Sequence, residues 1–191
     1  MKIMRARANK LIAVGMLCFS LGLIICVLLK PVGLGVNSGI SYFGNYRLTI
    51  VPYAIAILGY GLINILLARC ISAKELWPLK HSLYVLAVLS LIITITPYSV
   101  SSLLDNIHTA TGTVLFLLQL ILSGWLIIKM HYDRWPIVFS GLMLASGIAA
   151  AFYIEGPHGF LIQAQIVFQW SFAAVLYTAV NNLIPANTKA S

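Results

Sequence analysis

Charged side chains are the scarcest feature of this chain of 191 residues, since only 8% of them are Asp, Glu, Lys or Arg. A soluble domain carries roughly 25% charged residues. Hydrophobic residues instead make up 61% of the chain, and the mean hydropathy is +0.98. These values exclude a soluble globular domain and a disordered chain. They indicate an integral membrane protein.

Cysteine and catalytic motifs are equally sparse. The three cysteines, Cys18, Cys26 and Cys70, lie in or beside apolar runs, where no extracellular disulfide is expected. The chain has no H-E-x-x-H, G-x-S-x-G, P-loop or C-x-x-C pattern. All four histidines lie at the ends of apolar runs, which argues against a membrane-embedded b-type haem. We therefore expect no cofactor, and a non-enzymatic role is favoured over catalysis.

Six apolar runs are long enough, or nearly so, to cross the bilayer core, which takes about 20 helical residues. The predicted spans are about 11–29, 48–68, 82–98, 107–128, 136–154 and 160–184. The first run is longer than the apolar part of a signal peptide and has no A-x-A site after it, so we read it as a retained helix. The fold class predicted is all-α: a single domain, residues 1–191, forming a bundle of six transmembrane helices.

Lysine and arginine predict the orientation, because they concentrate in cytoplasmic segments. With both termini cytoplasmic, the outer segments hold only Lys30 and Arg47, and the inner segments hold Lys2, Arg5, Arg7, Lys10, Arg69, Lys74, Lys80, Lys129, Arg134 and Lys189. This asymmetry predicts that both termini are cytoplasmic, and it places the inner cations where they can contact anionic lipid heads. No basic patch interleaved with aromatic residues is present, so nucleic acid is not an expected partner.

Small and polar residues within the spans predict helix packing. Gly141, Ala145 and Ala149 recur every four residues and share one face of the fifth span, while Gly15 and Gly22 share one face of the first. Such faces allow close helix contact, within one chain or in a homodimer. Polar residues also form stripes on three spans, and these favour hydrogen bonds between helices or a polar ligand cavity: Tyr53, Tyr60 and Asn64; Gln119 and Ser123; Gln165 and Gln169.

Two acidic residues, each three positions before a histidine, form the most specific pattern of the outer side. Asp105 and His108 precede the fourth predicted span, and Glu155 and His158 precede the sixth. The acids can serve simply as helix caps that match the helix dipole. The two pairs can also form a ligand-binding or pH-sensitive site, joined by Arg47, or a metal site of two histidines and two carboxylates.

The first outer loop, Lys30 to Arg47, contains four glycines, which argue against a helix there. Its stretch Ile40-Ser41-Tyr42-Phe43-Gly44-Asn45, followed by Pro52-Tyr53, resembles the I-S-x-x-G segment of the prokaryotic "domain of unknown function 998" family. Ile107-His108-Thr109-Ala110 is similar to the His-led helix of that family. A remoter resemblance joins the damage-regulated autophagy modulator and FGF-receptor-activating-protein superfamily. These families commonly have Asp where this chain has Tyr42.

The resemblance implies a six-helix membrane protein and adds candidate positions at Ser41, Gly44, Asn45 and His108. Our leading hypothesis is a non-enzymatic protein of the bacterial or archaeal plasma membrane that binds a lipid, a small amphipathic ligand or a membrane-protein partner at the outer mouth of the bundle. The candidate ligand-binding residues are Asp105, His108, Glu155, His158, Ser41, Asn45, Arg47, Gln165 and Gln169. The alternatives are a metal-dependent membrane hydrolase using Asp105, His108, Glu155 and His158, and a small transporter or channel subunit with a polar path along Gln119, Gln165, Gln169 and Asn64. The oligomeric state is left open.

Overall fold

A computed structural model describes residues 2–35, 39–96, 100–155 and 159–184, with the backbone alone described at 2–4 and 154–155. Within these described residues six α-helices follow one another: α1 (Lys2–Leu29), α2 (Ile50–Arg69), α3 (Trp77–Ile95), α4 (Ser102–Lys129), α5 (Arg134–Glu155) and α6 (Leu161–Leu183). Each belongs to a helical segment long and apolar enough to cross a membrane. The predicted all-α, six-helix architecture of a multi-pass membrane protein is therefore confirmed.

The helices form a closed ring in which each packs on its neighbours in sequence and α6 returns to α1. Helix α6 also contacts α4, and its apolar window is the most buried of the six. The guanidinium of Arg5 closes the ring by donating from Nε to Asn181 Oδ1 at 2.9 Å, and from Nη2 to the Asn181 carbonyl. We call this end of the bundle the terminal end and the opposite one the loop end.

The first loop, Lys30 to Arg47, is more regular than its glycines suggested. It contains two short 3₁₀ helices, Pro31–Gly35 and Gly39–Asn45. The glycines serve close approach: a Cβ on Gly44 would lie 2.9 Å from the ring of Tyr53, and one on Gly33 would lie 2.5 Å from the ring of Phe43. Glycine is needed at these positions because a larger side chain would collide with a neighbouring ring. Short 3₁₀ helices can still form in a segment that contains such glycines.

The small-residue faces differ in what they contact. A Cβ on Gly22 would lie 2.7 Å from Ala56 Cβ, and one on Gly15 would lie 2.9 Å from Ile63, so this face of α1 packs closely on α2. On α5, Gly141 has open space where a Cβ would stand, and Ala145 is exposed. Of the two alternatives for the α5 stripe, packing within one chain does not hold at these two positions, because that part of α5 faces outward.

Candidate functional site

The second 3₁₀ helix of the first loop is anchored to the loop end of the bundle by polar contacts. The hydroxyl of Thr49, just before α2, donates to the Phe43 carbonyl at 2.6 Å, and both residues are fully buried. On the other side, Gln165 of α6 accepts a hydrogen bond from the backbone N–H of Ile40 at 2.8 Å. The loop thereby joins α2 to α6 across the end of the ring.

Gly39 permits the contact with Gln165. Its φ of +61° is in the left-handed region that favours glycine. A Cβ at this position would lie 2.5 Å from Gln165 Oε1, the same atom that accepts from Ile40. Close approach and backbone conformation therefore both require glycine here, and Gln165, a predicted site residue, acts on the loop.

Ser41 and His108 meet at the centre of this arrangement. The Ser41 hydroxyl lies 2.6 Å from His108 Nε2, although the two residues are 67 positions apart in the chain. His108 Nδ1 lies 2.6 Å from the Thr96 carbonyl, and Ser41 is also hydrogen-bonded to the side chain of Tyr53. His108 is buried and Ser41 is half-buried. The two segments that carry the family resemblance are thus in direct contact.

The partners of His108 define its hydrogen-bonding roles. A carbonyl oxygen only accepts, so Nδ1 carries a proton and donates it to Thr96. In the neutral ring Nε2 then accepts from the Ser41 hydroxyl, and in the charged ring it donates instead. A hydroxyl that donates to an imidazole whose other nitrogen is fixed has the arrangement of a serine and its general base.

The acidic residues of the predicted cluster are placed differently from the prediction. Asp105 lies within the first turn of α4, because the helix begins at Ser102 rather than at about residue 107, where the predicted span begins. Its carboxylate is favourably placed for the helix dipole, but the cap is Ser101, whose hydroxyl accepts from the Leu104 N–H at 3.3 Å. Glu155 is the last residue of α5 in the described backbone, and its side chain and His158 lie outside the described residues.

Asn45 and Arg47, the remaining candidates of the first loop, are exposed at its end. Beside them, the Lys30 ammonium lies 2.8 Å from the ring centroid of Tyr46 and 5.5 Å from that of Tyr42. A hydrogen bond between the two tyrosines, together with the positive charge of Lys30, lowers the pKa of Tyr46; the same hydrogen bond raises the pKa of Tyr42. This cluster makes the rim of the loop end polar and basic.

Gln169, the last predicted site residue, belongs to a separate network deeper in the bundle. It exchanges amide hydrogen bonds with Gln119 of α4 at 3.0 and 3.2 Å, and Gln119 also donates to the Tyr60 hydroxyl at 3.2 Å. Tyr60 is hydrogen-bonded in turn to Asn64. The polar stripes of α2, α4 and α6 therefore face one another, as hydrogen bonding between helices requires.

This interior network does not continue as a polar path toward the terminal end. In the described residues, Ser123 follows Gln119 by one turn and is buried, but it donates to the Met143 sulfur at 3.3 Å rather than to this network. Beyond it the inward-facing side chains are apolar and almost fully buried: Leu67, Leu126 and Leu176. A transporter would need polar groups at these depths. The contacts of Gln119 and Gln169 are those of a packing network.

Among the described residues, no three His, Cys, Asp or Glu side chains are grouped as metal ligands. The four-residue metal site stays a prediction, because half of it lies outside the described part of the chain. His81, at the terminal end, is exposed and bonds the Trp77 carbonyl at 2.9 Å, as expected of an interfacial residue.

Sequence reasoning identified Ser41, His108 and Gln165 but missed how they are joined. It also missed Thr96, Thr49 and Gly39, because a backbone carbonyl, a short hydroxyl and a glycine give no signal in a single sequence. Comparison of the chain with protein-family models, with curated proteins and with solved structures gives no match.

Proposed function

We propose that this multi-pass membrane protein binds a lipid or small amphipathic ligand at the loop end, where the first loop meets α4 and α6. The observation that carries the proposal is the hydrogen bond of 2.6 Å between Ser41 of the loop and the buried His108 of α4. Burying a titratable side chain within an apolar bundle is costly, so the buried His108 with its contact to a loop hydroxyl favours a site over plain packing.

The surroundings of Ser41 suit a ligand with a polar head and an apolar tail. Ser41 is half-buried, so its hydroxyl is within reach of a ligand, while the polar rim holds Asn45, Arg47 and Lys30. Large apolar side chains beside this rim face outward where lipid tails would lie, among them Leu48, Val51 and Leu103. A head group at the rim and a tail along these side chains would satisfy both surfaces.

The orientation belongs to the same proposal. The asymmetry of lysine and arginine supports a loop end on the outer side of the membrane, with both termini cytoplasmic. A bacterial or archaeal plasma membrane is what the family resemblance implies. Membership of the "domain of unknown function 998" family is likewise proposed, and it is supported by the contact between Ser41 and His108, the residues of the two resembling segments.

Photo-crosslinking in native membranes tests the binding proposal. The probe is a phospholipid with a diazirine next to its head group, and we expect crosslinks within residues 39–53 of the wild-type protein. The double variant S41A/H108N should lose most of this labelling. The control S102A changes an exposed serine at the same end and should label normally. Labelling of S41A/H108N equal to wild type, with both variants inserted, would contradict the proposal.

A second candidate function is hydrolysis of a lipid ester by Ser41, because His108 Nε2 and Nδ1 have the two contacts of an oriented general base. Ser41 Oγ would attack the ester carbonyl while its proton passes to His108 Nε2. The leaving alcohol would take that proton, and water would then hydrolyse the acyl-serine in the same way, with His108 again as base.

A fluorophosphonate probe separates this hydrolase from a binding protein. An activated serine is phosphonylated at Oγ with loss of fluoride, so we expect a stable adduct on the peptide that contains Ser41. H108N should abolish the adduct although it keeps Ser41, and S102A should not affect it. An absence of adduct in the wild-type protein that still binds the photoreactive lipid would leave binding as the function and exclude the hydrolase.

A further inference from the structure

A groove of about 780 Å³ lies on the lateral surface of the bundle, toward its terminal end and away from the first loop. Its floor is α6, with Trp170, Ala174 and Tyr177, and its walls are α1 and α5, with Met16 and Phe139. Small-molecule sites commonly have volumes of about 300–1,000 Å³. The groove is therefore large enough for a ligand, and the small side chains of Ala173 and Ala174 leave space on its floor.

The position of the groove limits what can fill it. Its lining is almost entirely apolar, and the side chains of Trp135, Trp170 and Tyr177 are about half-exposed along it. In a membrane such a surface faces the lipid hydrocarbon. Water does not fill it, because an apolar lining offers water no hydrogen bonds. The molecule that occupies it must offer an apolar chain at this depth.

Positive charge at the terminal end favours an anionic head group on the lipid whose apolar chain fills the groove. Arg134 begins α5 directly before Trp135, and its guanidinium lies 5.5 Å from the centroid of the Trp135 ring. Arg5 bonds Asn181 of α6, one turn beyond the groove residue Tyr177. Within the described part of the chain, Asn181 takes two of the five guanidinium N–H groups of Arg5, so donors are left for a phosphate.

The terminal end as a whole carries a net positive charge. In the described residues its acids are Glu75 and Asp133, and its cations are Arg5, Arg7, Lys10, Arg69, Lys74, Lys80, Lys129 and Arg134. The Asp133 carboxylate, next to Arg134, is engaged by the Asn182 amide at 2.9 Å and the Trp135 N–H at 3.4 Å. Arg5 and Arg134 outnumber this single carboxylate, so the entrance of the groove carries a net positive charge and is complementary to an anion.

We propose that this groove holds one acyl chain of an anionic phospholipid from the leaflet at the terminal end, with the phosphate between Arg5 and Arg134. The site is separate from the loop end, so its occupancy is independent of the function proposed there. Arginine suits this role because its guanidinium donates two parallel hydrogen bonds to a phosphate.

Tryptophan quenching by brominated lipids tests the proposal directly, because two of the four tryptophans line the groove. The full-length variant W77F/W125F retains Trp135 and Trp170 and is reconstituted into phosphatidylcholine vesicles. Brominated phosphatidylglycerol should quench it at a mole fraction about twenty-five-fold lower than brominated phosphatidylcholine, since each of two arginines contributes about five-fold.

Two controls separate the groove from general lipid contact. A variant that keeps only Trp77, which is exposed on α3 outside the groove, should show a much smaller difference between the two lipids. R134Q should lower the preference of the groove tryptophans about five-fold. Equal preference at Trp77 and at the groove tryptophans would overturn the proposal, as would equal quenching by both lipids.

Filling the groove gives an independent readout. A174F places a ring on the floor and A13F places one on the α1 wall, so either variant that inserts serves as the test. Each should abolish the preference for the anionic lipid, whereas A145F, on an exposed face of α5 outside the groove, should retain it. A wild-type dimer that is lost in A174F but kept in A145F would assign the groove to a second copy and overturn the lipid proposal.

Discussion

Two glutamine side chains, Gln119 of α4 and Gln169 of α6, exchange amide hydrogen bonds inside the bundle. Each amide has both a donor and an acceptor, so the pair satisfies itself in a way that no single replacement preserves. The Tyr60 hydroxyl adds a third member from α2. Three helices are thereby fixed in rotation about their own axes.

Replacing one glutamine by leucine should destabilise the protein more than replacing both. Q119L or Q169L leaves a buried amide unpaired, at a cost of about 1–3 kcal/mol. Q119L/Q169L removes both polar groups and should lie close to wild type, because hydrogen bonds between membrane helices contribute only about 0.6 kcal/mol on average. Unfolding of the purified protein in detergent measures the cycle.

T113V is the control, since its hydroxyl is exposed and bonds only the Thr109 carbonyl of its own helix. It should change the free energy of unfolding little. Additive losses in the double variant would show that the two amides do not act as a pair.

Among the elements, the first loop depends on one glycine. G39A should destabilise the loop by about 1–3 kcal/mol, because alanine is strained at a positive φ and its Cβ would collide with Gln165 Oε1. The Ile40 N–H would then lose its acceptor. Hydrogen exchange of that amide should become much faster.

G35A is the matched control within the same loop. Its Cβ would meet no atom of the described residues within 4 Å, and the residue has no positive φ. Exchange at Ile40 should be unchanged in G35A. Equal acceleration in the two variants would mean that glycine content, rather than the Gln165 contact, holds the loop.

The packing of α1 on α2 predicts opposite effects of one substitution on two helices. G22A would bring a Cβ to 2.7 Å from Ala56 Cβ and from the Pro52 carbonyl, and such overpacking costs about 1–3 kcal/mol. G141A has open space and should be neutral or stabilising by up to about 1 kcal/mol through helix propensity. Thermal unfolding of the two variants in detergent makes the comparison, and a destabilised G141A would indicate that α5 is covered by a partner.

For the whole molecule, the proposed orientation predicts which residues an impermeant reagent reaches. In a parent without Cys18, Cys26 and Cys70, N45C at the loop end should react with an impermeant maleimide in intact cells. E75C, which is exposed at the terminal end, should react only after the cells are opened. The reverse pattern would invert the orientation and place the groove in the outer leaflet.

At this scale the sequence predicts well, because each crossing requires about 20 apolar residues whatever their partners. Rotation of a helix depends on all its neighbours, so the outward direction of Gly141 was not predictable from spacing alone. The same holds for the site: His108 was identified by its spacing from Asp105 and by the family resemblance, and its contacts with Ser41 and Thr96 depend on where the first loop and α3 end.

Helix α6 has a further consequence for how the chain is made. It supplies Gln165 to the first loop at one end and Asn181 to Arg5 at the other, across 125 and 176 positions of sequence. During synthesis α1 and the first loop are made before α6, so these hydrogen bonds form only after α6 has been inserted. A chain truncated before α6 would therefore leave polar groups of α1 and of the first loop without these partners at both ends of the bundle.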